Sequence, residues 1–371
     1  MKGKKNIIIL GVVVVLISAL VGVYFFMKYQ TYDRVEFVKT YENKGTDNAN
    51  YKKCLSGVLR YSRDGIALLS DEGDVVWNQP CQMNSPVVEM CGESVAVGDK
   101  GGTEIMVFHE KGLKGEIKTT RPIEKMAVSS QGIVAALLKD EEVPSVVCYD
   151  AKGNVLVEHK VSLKNIGYPT DVALAENGKT LIVSYLKTEG TEVVSKVTYF
   201  YFGDDDQTND DYQIYEERFV DAVVPTVEYM NKDTSILVSD RGICFYKGTK
   251  KIKQSAMVEL KGEIHSVGYD DKLVAVLMRK SAANSYVLMI YDTNGEMHAS
   301  VEVEREYRNV HVIDNQVILF DGQSCSIYMK NGVHKYTGNL EENIVEMYPY
   351  GTFNKYMLIN AGGFHEIELA K

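Results

Sequence analysis

The sequence is short of positive charge. Its 371 residues include 41 lysines and arginines against 51 aspartates and glutamates, which gives a net charge of −10. A nucleic-acid partner would require a basic stripe that displaces counterions from phosphates, and the sequence has none. The remaining composition, 45% hydrophobic and 25% charged, is that of an ordinary folded protein. We therefore expect a globular chain without a nucleic-acid partner.

Chemical signatures are also scarce. The six cysteines are scattered, with no Cys-x-x-Cys pair and no histidine at ligand spacing, so no zinc site is expected. Cys148 and Cys244 lie within apolar strand patterns and are expected to be small buried side chains. Gly-x-Ser-x-Gly, His-Glu-x-x-His and Walker-type loops are missing, which removes the usual hydrolase and nucleotide signatures. The sequence predicts no catalytic residue, no metal and no cofactor.

One long apolar run stands at the N-terminus. Ile7 to Met27 contains no charged residue and follows Lys2, Lys4 and Lys5. At about 1.5 Å per residue it is long enough for the hydrocarbon core of a bilayer, roughly 30 Å thick. A cleaved signal peptide is the alternative, but its apolar part is normally shorter. We predict a cytoplasmic tail at 1–6, a transmembrane helix at 7–27, a linker at 28–34 and an extracytoplasmic domain at 35–371, with a cell-membrane location.

Beyond Met27 the chain lacks helical periodicity. No window carries apolar residues at i, i+3, i+4 and i+7 over ten positions, whereas short runs rich in Val, Ile and Tyr are frequent. This pattern predicts an all-β domain.

Turn signals recur in that domain at about forty residues. Similar turns contain the glycines Gly73, Gly112, Gly153, Gly295 and Gly332, at steps of 39, 41, 142 and 37 residues. Four of the seven prolines precede strand-like runs, where the missing N–H costs no ladder hydrogen bond. Asp-Gly pairs add a second turn type. Four antiparallel strands per repeat predict a β-propeller.

We assign blades near residues 57–78, 86–119, 123–161, 169–220, 224–258, 264–303 and 307–338. The last piece, Ile344 to Leu369, holds only three strands, and Val35 to Thr40 alternates like a strand that could supply the fourth and close the ring. Eight blades are therefore predicted. Seven are the alternative, because the inner strand of the first blade is hard to see and Tyr41 to Lys53 could be loop.

Two features resemble known families. The stretch DEGDVVW, Asp71 to Trp77, resembles the turn-and-tryptophan element of quinoprotein-like propeller repeats, although Trp77 is the only tryptophan in the chain. The layout of a lysine-flanked anchor and an acidic, tyrosine-rich propeller is similar to domain-of-unknown-function family 5711. That resemblance implies a membrane-anchored propeller and no particular activity.

The repeat pattern also indicates a candidate binding surface. Loops between blades should share one face with the Asp/Gly hairpins, and the turns of Asp71, Asp150 and Asp292 should lie on the other face. Because loops on rigid scaffolds usually carry function, we predict a polar binding face. Its candidate residues are Asp64, Asp99, Arg121, Tyr168, Asp240, Arg308 and Asp321.

For any single aspartate, hydrogen bonding to its own turn is the simpler interpretation. Inner strands carry Glu89, Glu124, Asp171, Glu228, His265, His311 and Glu346, which either line a solvated channel or serve glycoside hydrolysis. The acidic run Asp204 to Asp211 does not match an EF-hand and is expected to be a solvated loop.

The functional prediction is a single-pass, non-enzymatic scaffold or recognition module that binds a protein or glycan of the cell envelope. The alternative is a propeller enzyme that acts on envelope glycans or peptides through channel carboxylates.

Overall fold

The computed structural model describes residues 2–42, 49–54, 57–203, 212–280 and 285–371, without the side chains of residues 2–9, 11 and 27. Over these ranges the chain forms one helix and 32 strands in eight four-stranded sheets. The predicted eight-bladed all-β propeller is confirmed, and the seven-blade alternative is wrong. The acidic run Asp204 to Asp211 lies outside the described residues.

The helix, α1, spans Lys2–Lys28 and covers the predicted apolar segment. Within the described part of the chain, however, no helix has both the length and the apolar character needed to cross a membrane. The predicted transmembrane helix is therefore not confirmed.

The first four blades use strands that follow one another along the chain. Blade 1 contains β2 Asn50–Cys54, β3 Gly57–Tyr61, β4 Gly65–Leu69 and β5 Val75–Pro80. Blade 2 contains β6 Pro86–Cys91, β7 Ser94–Asp99, β8 Glu104–His109 and β9 Gly112–Lys118. Blade 3 contains β10 Ile123–Val128, β11 Val134–Leu138, β12 Ser145–Tyr149 and β13 Val155–Lys160. Blade 4 contains β14 Tyr168–Leu174, β15 Thr180–Glu189, β16 Glu192–Tyr201 and β17 Gln213–Val220.

The next three blades repeat this order, and the eighth combines the two ends of the domain. Blade 5 contains β18 Thr226–Tyr229, β19 Thr234–Ser239, β20 Gly242–Lys247 and β21 Lys253–Glu259. Blade 6 contains β22 Glu263–Tyr269, β23 Leu273–Arg279, β24 Tyr286–Asp292 and β25 Met297–Val303. Blade 7 contains β26 Asn309–Ile313, β27 Gln316–Asp321, β28 Ser324–Met329 and β29 His334–Asn339. Blade 8 contains β30 Glu346–Pro349, β31 Lys355–Asn360, β32 Gly363–Ala370 and, as its outer strand, β1 Arg34–Glu42.

Ring closure follows the prediction. β1 pairs antiparallel with β32, from Arg34 opposite Ala370 to Glu42 opposite Gly363. The first blade has its inner strand at β2, so the loop interpretation of Tyr41 to Lys53 is wrong where β1 and β2 form. β2 is hard to detect because it is short and carries two consecutive lysines, Lys52 and Lys53, in place of alternating apolar residues. The pairing of β1 with β32 completes the four strands of blade 8 and so closes the ring.

A β-bulge recurs next to the turn between the third and fourth strands. In blade 3, Cys148 pairs with Val157 but the next residue, Tyr149, pairs with Val155. The same pair of strands shows this shift in the other blades from 1 to 7. A bulge bends its strand and increases the local twist, so the repeated turn is part of the blade's curvature.

The hydrophobic core is divided into eight clusters, one between each pair of neighbouring blades. The cluster between blades 8 and 1 joins Phe364 and Met357 to Val58 and Leu69, all at most 1% exposed. Trp77 of blade 1 stacks on Phe108 of blade 2 with ring centroids 4.8 Å apart. Neighbouring blades therefore stabilise one another face to face.

Candidate functional site

The blade topology defines two faces. In each blade, strands alternate in direction, so the turn between the second and third strands lies on the same side as the crossing from the preceding blade. We call this side the entry face, because inner strands begin there, and the other side the exit face. All seven predicted site residues lie at the entry face: Asp64, Asp99, Arg121, Tyr168, Asp240, Arg308 and Asp321.

Two of the aspartates hold the loop that leads into their own blade. The Asp99 carboxylate, in a side chain 7% exposed, accepts hydrogen bonds from the backbone N–H groups of Asn84 at 2.9 Å and Ser85 at 2.7 Å. Asp240 accepts one from the backbone N–H of Val223 at 3.0 Å. These carboxylates fix the shape of the entry loops.

Two arginines pair with aspartates within their blades. Arg308 donates to both carboxylate oxygens of Asp321 at 2.6 to 3.0 Å, and this guanidinium lowers the pKa of Asp321. The Arg121 Nε lies 3.3 Å from Asp140, whose pKa is lowered by hydrogen bonds from the backbone N–H groups of Val143 and Glu142. Each arginine precedes an inner strand, and each aspartate lies at the end of a second strand or just after it, so blades 3 and 7 use the same kind of ion pair.

The remaining two predicted residues differ. Asp64 is exposed, and no described hydrogen bond or ion pair engages its carboxylate. The Tyr168 hydroxyl donates to Glu124 Oε2 at 2.5 Å, from blade 4 to blade 3. Burial and this carboxylate raise the pKa of Tyr168 to about 12. Apart from this pair, the described side-chain hydrogen bonds and ion pairs of the seven residues stay within one blade or its entry loop.

The turns of the exit face are self-contained. Asp150 accepts from the backbone N–H groups of Lys152 at 2.8 Å and Asn154 at 2.9 Å, and the side-chain amide of Asn154 also lowers its pKa. Asp292 makes the same pattern in blade 6. In blade 1 the serine Ser70 takes this position.

Asp71 does not belong to that series. Its carboxylate accepts from Lys53 Nζ at 2.8 Å and from the Tyr348 hydroxyl at 2.9 Å. Because Tyr348 lies on the inner strand of blade 8, Asp71 links the last blade to the first.

The central channel contains a second polar group of residues. Asp171 pairs with Lys125 Nζ at 3.3 Å and accepts from the backbone N–H of Val227 at 3.0 Å. Glu228 accepts from the Tyr269 hydroxyl at 2.9 Å. Burial, followed by the charge of Glu89, raises the pKa of Glu228 to about 8.

A cavity of about 500 Å³ opens beside this group, between blades 6, 7, 8, 1 and 2. Tyr61 and Tyr269 line it together with His311. His311 Nδ1 lies 2.9 Å from Glu346, a carboxylate only 3% exposed that also accepts from the backbone N–H of Met347. Among the described residues, no group of three or more His, Cys, Asp or Glu side chains is arranged to hold a metal ion.

The sequence pattern predicted the channel carboxylates only as a set. It did not single out Lys52, Lys125 or Tyr269, whose contacts are with neighbouring blades, nor Asp140, which pairs with Arg121 of its own blade. One signal was present for Lys125, which follows the candidate Glu124 on the inner strand β10.

The chain matches a family of unknown function, DUF5711, over residues 28–369. It therefore belongs to that family. No match was found among the curated proteins.

Solved structures share the fold at low identity. BamB from Moraxella catarrhalis superposes with a TM-score of 0.55 at 10% identity, covering 90% of this chain and 99% of BamB. AztD from Citrobacter koseri gives 0.53 at 12% identity, with 80% of this chain and 87% of AztD covered. A eukaryotic initiation factor gives 0.54 at 12% identity, with 87% and 84% covered. At such identities the likeness establishes the propeller fold alone.

Proposed function

We propose that this protein is a membrane-anchored, extracytoplasmic recognition module whose entry face binds a protein partner in the cell envelope, without catalysis. The observation that carries the proposal is the place where the N-terminal segment joins the ring. β1 begins at Arg34, opposite Ala370, and the backbone N–H of Asp33 donates to the Ala370 carbonyl at 2.9 Å. β32 ends at the exit face, so the segment before residue 34 leaves from that face.

Contacts of α1 agree with this geometry. Tyr24 packs edge-to-face on Phe353, with ring centroids 5.6 Å apart, and Phe353 lies in the exit-face turn between β30 and β31. The Lys371 ammonium lies 5.8 Å from the Phe26 ring. If Ile7 to Met27 is held in a bilayer, the exit face is turned toward the membrane and the entry face points away from it. The uncharged run and its preceding lysines support that anchor.

The entry face is suited to recognition because it is shaped in advance. The Asp99 hydrogen bonds hold one entry loop and the Arg308–Asp321 pair holds another. A rigid surface loses little conformational entropy on binding, which favours affinity. Anchoring would also raise the local concentration of the module at the membrane. The BamB-like and AztD-like fold is compatible with this role.

Site-specific photo-crosslinking in cells tests the proposal. A photoreactive amino acid replaces the exposed entry-face residue Asp64 in one variant and Asp150, on an exit-face turn, in the matched control. We expect a covalent adduct to an envelope protein from position 64 and none from position 150. Adducts at equal yield from both positions, or from position 150 alone, would refute the assignment of the entry face.

Topology is tested separately by protease treatment of intact cells. An extracytoplasmic propeller should be cleaved by external protease, and a chain lacking residues 1–27 should no longer sediment with membranes. A propeller that is protected in intact cells and cleaved only after lysis would contradict the proposed location.

A further inference from the structure

One lysine in the wall of the 500 Å³ cavity has no carboxylate partner. Apart from tyrosines, the titratable side chains that line this cavity among the described residues are Lys52, Lys53, His311 and Glu346. Three of the four are already paired. Lys53 Nζ lies 2.8 Å from Asp71, and His311 Nδ1 lies 2.9 Å from Glu346. Lys52 is the cation that remains.

Lys52 is half-buried, and its described hydrogen bond is a long one. Its Nζ donates to the Val88 carbonyl at 3.4 Å, beyond the usual range of about 2.7–3.2 Å for an N–H···O bond. The Glu89 carboxylate of blade 2 is close enough to feel the charge of Lys52. Glu89 does not line the cavity, however, and no ion pair joins the two side chains within the described part of the chain. A partly buried ammonium without an ionic partner favours binding of an anion.

The strand register places an aromatic ring beside this ammonium. On β2, Lys52 lies opposite Leu59 of β3, and Asn50 lies opposite Tyr61. Lys52 and Tyr61 are therefore diagonal neighbours on one face of the sheet, at a separation of roughly 7–8 Å that long and aromatic side chains can bridge. Met90 of blade 2 borders the same cavity and packs with Tyr61 against one apolar cluster. This corner of the cavity thus combines one positive charge with apolar and aromatic surface.

We propose that this corner of the channel binds a small organic acid that carries a ring, with the carboxylate on Lys52 Nζ and the ring against Tyr61 and Met90. Lysine donates a charge-assisted hydrogen bond to a carboxylate, and a tyrosine ring packs edge-to-face or offset on another ring. The volume of 500 Å³ lies within the range of roughly 300–1,000 Å³ that holds small ligands. This inference goes beyond the proposed function, and its test does not depend on the entry face.

Calorimetric titration of the full chain with benzoate tests the site. Benzamide is the neutral control, because it has nearly the same shape without the charge. We expect benzoate to bind, and benzamide to bind at least about tenfold more weakly. K52M should weaken benzoate binding by a similar factor, whereas K52R keeps the charge and should retain most of the affinity. K118M is the control for loss of a lysine: Lys118 lies on the outer strand of blade 2 with its side chain 77% exposed, and benzoate affinity should not change.

A gain-of-binding variant separates loss of the site from loss of the fold. In D71N the side-chain amide can still accept the hydrogen bonds from Lys53 and Tyr348, but the negative charge is gone. Lys53 then adds an unpaired positive charge to the cavity wall, so benzoate should bind more tightly than it does to the parent chain. Y61A removes the ring contact. It should weaken benzoate binding about threefold to tenfold and leave the preference for benzoate over benzamide in place.

The same carboxylate could belong to a free acid or to the C-terminus of a partner protein. N-acetyl-phenylalanine, which resembles a C-terminal residue with a ring, distinguishes these sources. Affinity at least equal to that of benzoate indicates a partner's C-terminus, and weaker binding or none indicates a free acid. The proposal is overturned if neither acid binds, if benzamide binds as tightly as benzoate, or if K52M binds benzoate as the parent chain does.

Discussion

Lys335 offers a direct test of how burial between blades affects stability. Its side chain is fully buried, and its ammonium donates to the Phe353 carbonyl, to the Tyr356 hydroxyl at 3.0 Å and to Gln316 Oε1 at 3.5 Å. No carboxylate pairs with it among the described residues. Burial, with a smaller effect of Lys28, lowers its pKa from 10.5 to about 8.

The size of the effect follows from that pKa. At about 1.4 kcal/mol per pH unit, the lowered pKa corresponds to a penalty of about 3 kcal/mol for folding with a protonated Lys335 at neutral pH. Unfolded chains keep this proton up to pH 10.5. Between pH 8 and 10.5 the unfolded state therefore binds more protons, and the stability of the parent chain rises with pH through this group.

The K335M variant lacks this titration. The free energy of unfolding of K335M minus that of the parent should therefore be about 3 kcal/mol larger at pH 7 than at pH 10.5. A constant offset of about 1–3 kcal/mol works against it, because the Phe353 carbonyl loses its donor. The test is therefore how the difference in free energy of unfolding between K335M and the parent changes with pH, and not its value at one pH.

Denaturant unfolding followed by circular dichroism from pH 7 to 10.5 measures this difference. Subtracting the parent curve removes the titration of the other groups. K118M is the matched control, because the Lys118 side chain is 77% exposed and should show no such slope. A difference between K335M and the parent that stays flat across this range would refute the argument that burial, uncompensated by a carboxylate, controls Lys335.

Two further predictions concern close packing between blades. G268A should destabilise the ring by about 1–3 kcal/mol, because the added methyl would lie 2.0 Å from the Val310 carbonyl of the next inner strand. G65A is the control, because the nearest atom to its added methyl group would be 3.4 Å away. Thermal unfolding should give a lower melting temperature for G268A than for G65A. Equal melting temperatures would mean that neighbouring blades can move apart to accommodate the methyl group. W77F should cost about 1 kcal/mol by losing the hydrogen bond from Trp77 Nε1 to the Glu110 carbonyl. Unchanged denaturation midpoints would mean that this bond does not hold blades 1 and 2 together.

Local sequence patterns predicted the architecture because each blade repeats the same unit of four antiparallel strands and their turns. Residues such as Gly153 mark turns by their positive φ of 87°, which glycine adopts without a steric penalty. The alternation in Val35 to Thr40 identified the closing strand without any knowledge of its partner. β2 was hard to recognise as a strand, and a loop was left as the alternative, because Lys52 and Lys53 do not alternate with apolar residues.

The predicted site was resolved less completely. Strand direction alone placed the candidates on the entry face. Strand direction could not show that the Asp321 carboxylate pairs with the Arg308 guanidinium, because that contact depends on the local conformation around both residues. The sequence pattern also grouped Asp71 with Asp150. In the structure Ser70 accepts the hydrogen bonds of the equivalent turn, and Asp71 instead accepts from Tyr348 of blade 8.

The sequence by itself determined the class of fold and the side on which each turn lies, and it favoured eight blades over seven, because these features depend on periodicity and strand alternation within about forty residues. Only the tertiary structure decided which charges meet. Glu89 and Glu228 are 139 residues apart in the chain and act on one another only because closing the ring brings inner strands together. Burial then raises the pKa of Glu228, and neither proximity nor burial across the ring is encoded in any local pattern.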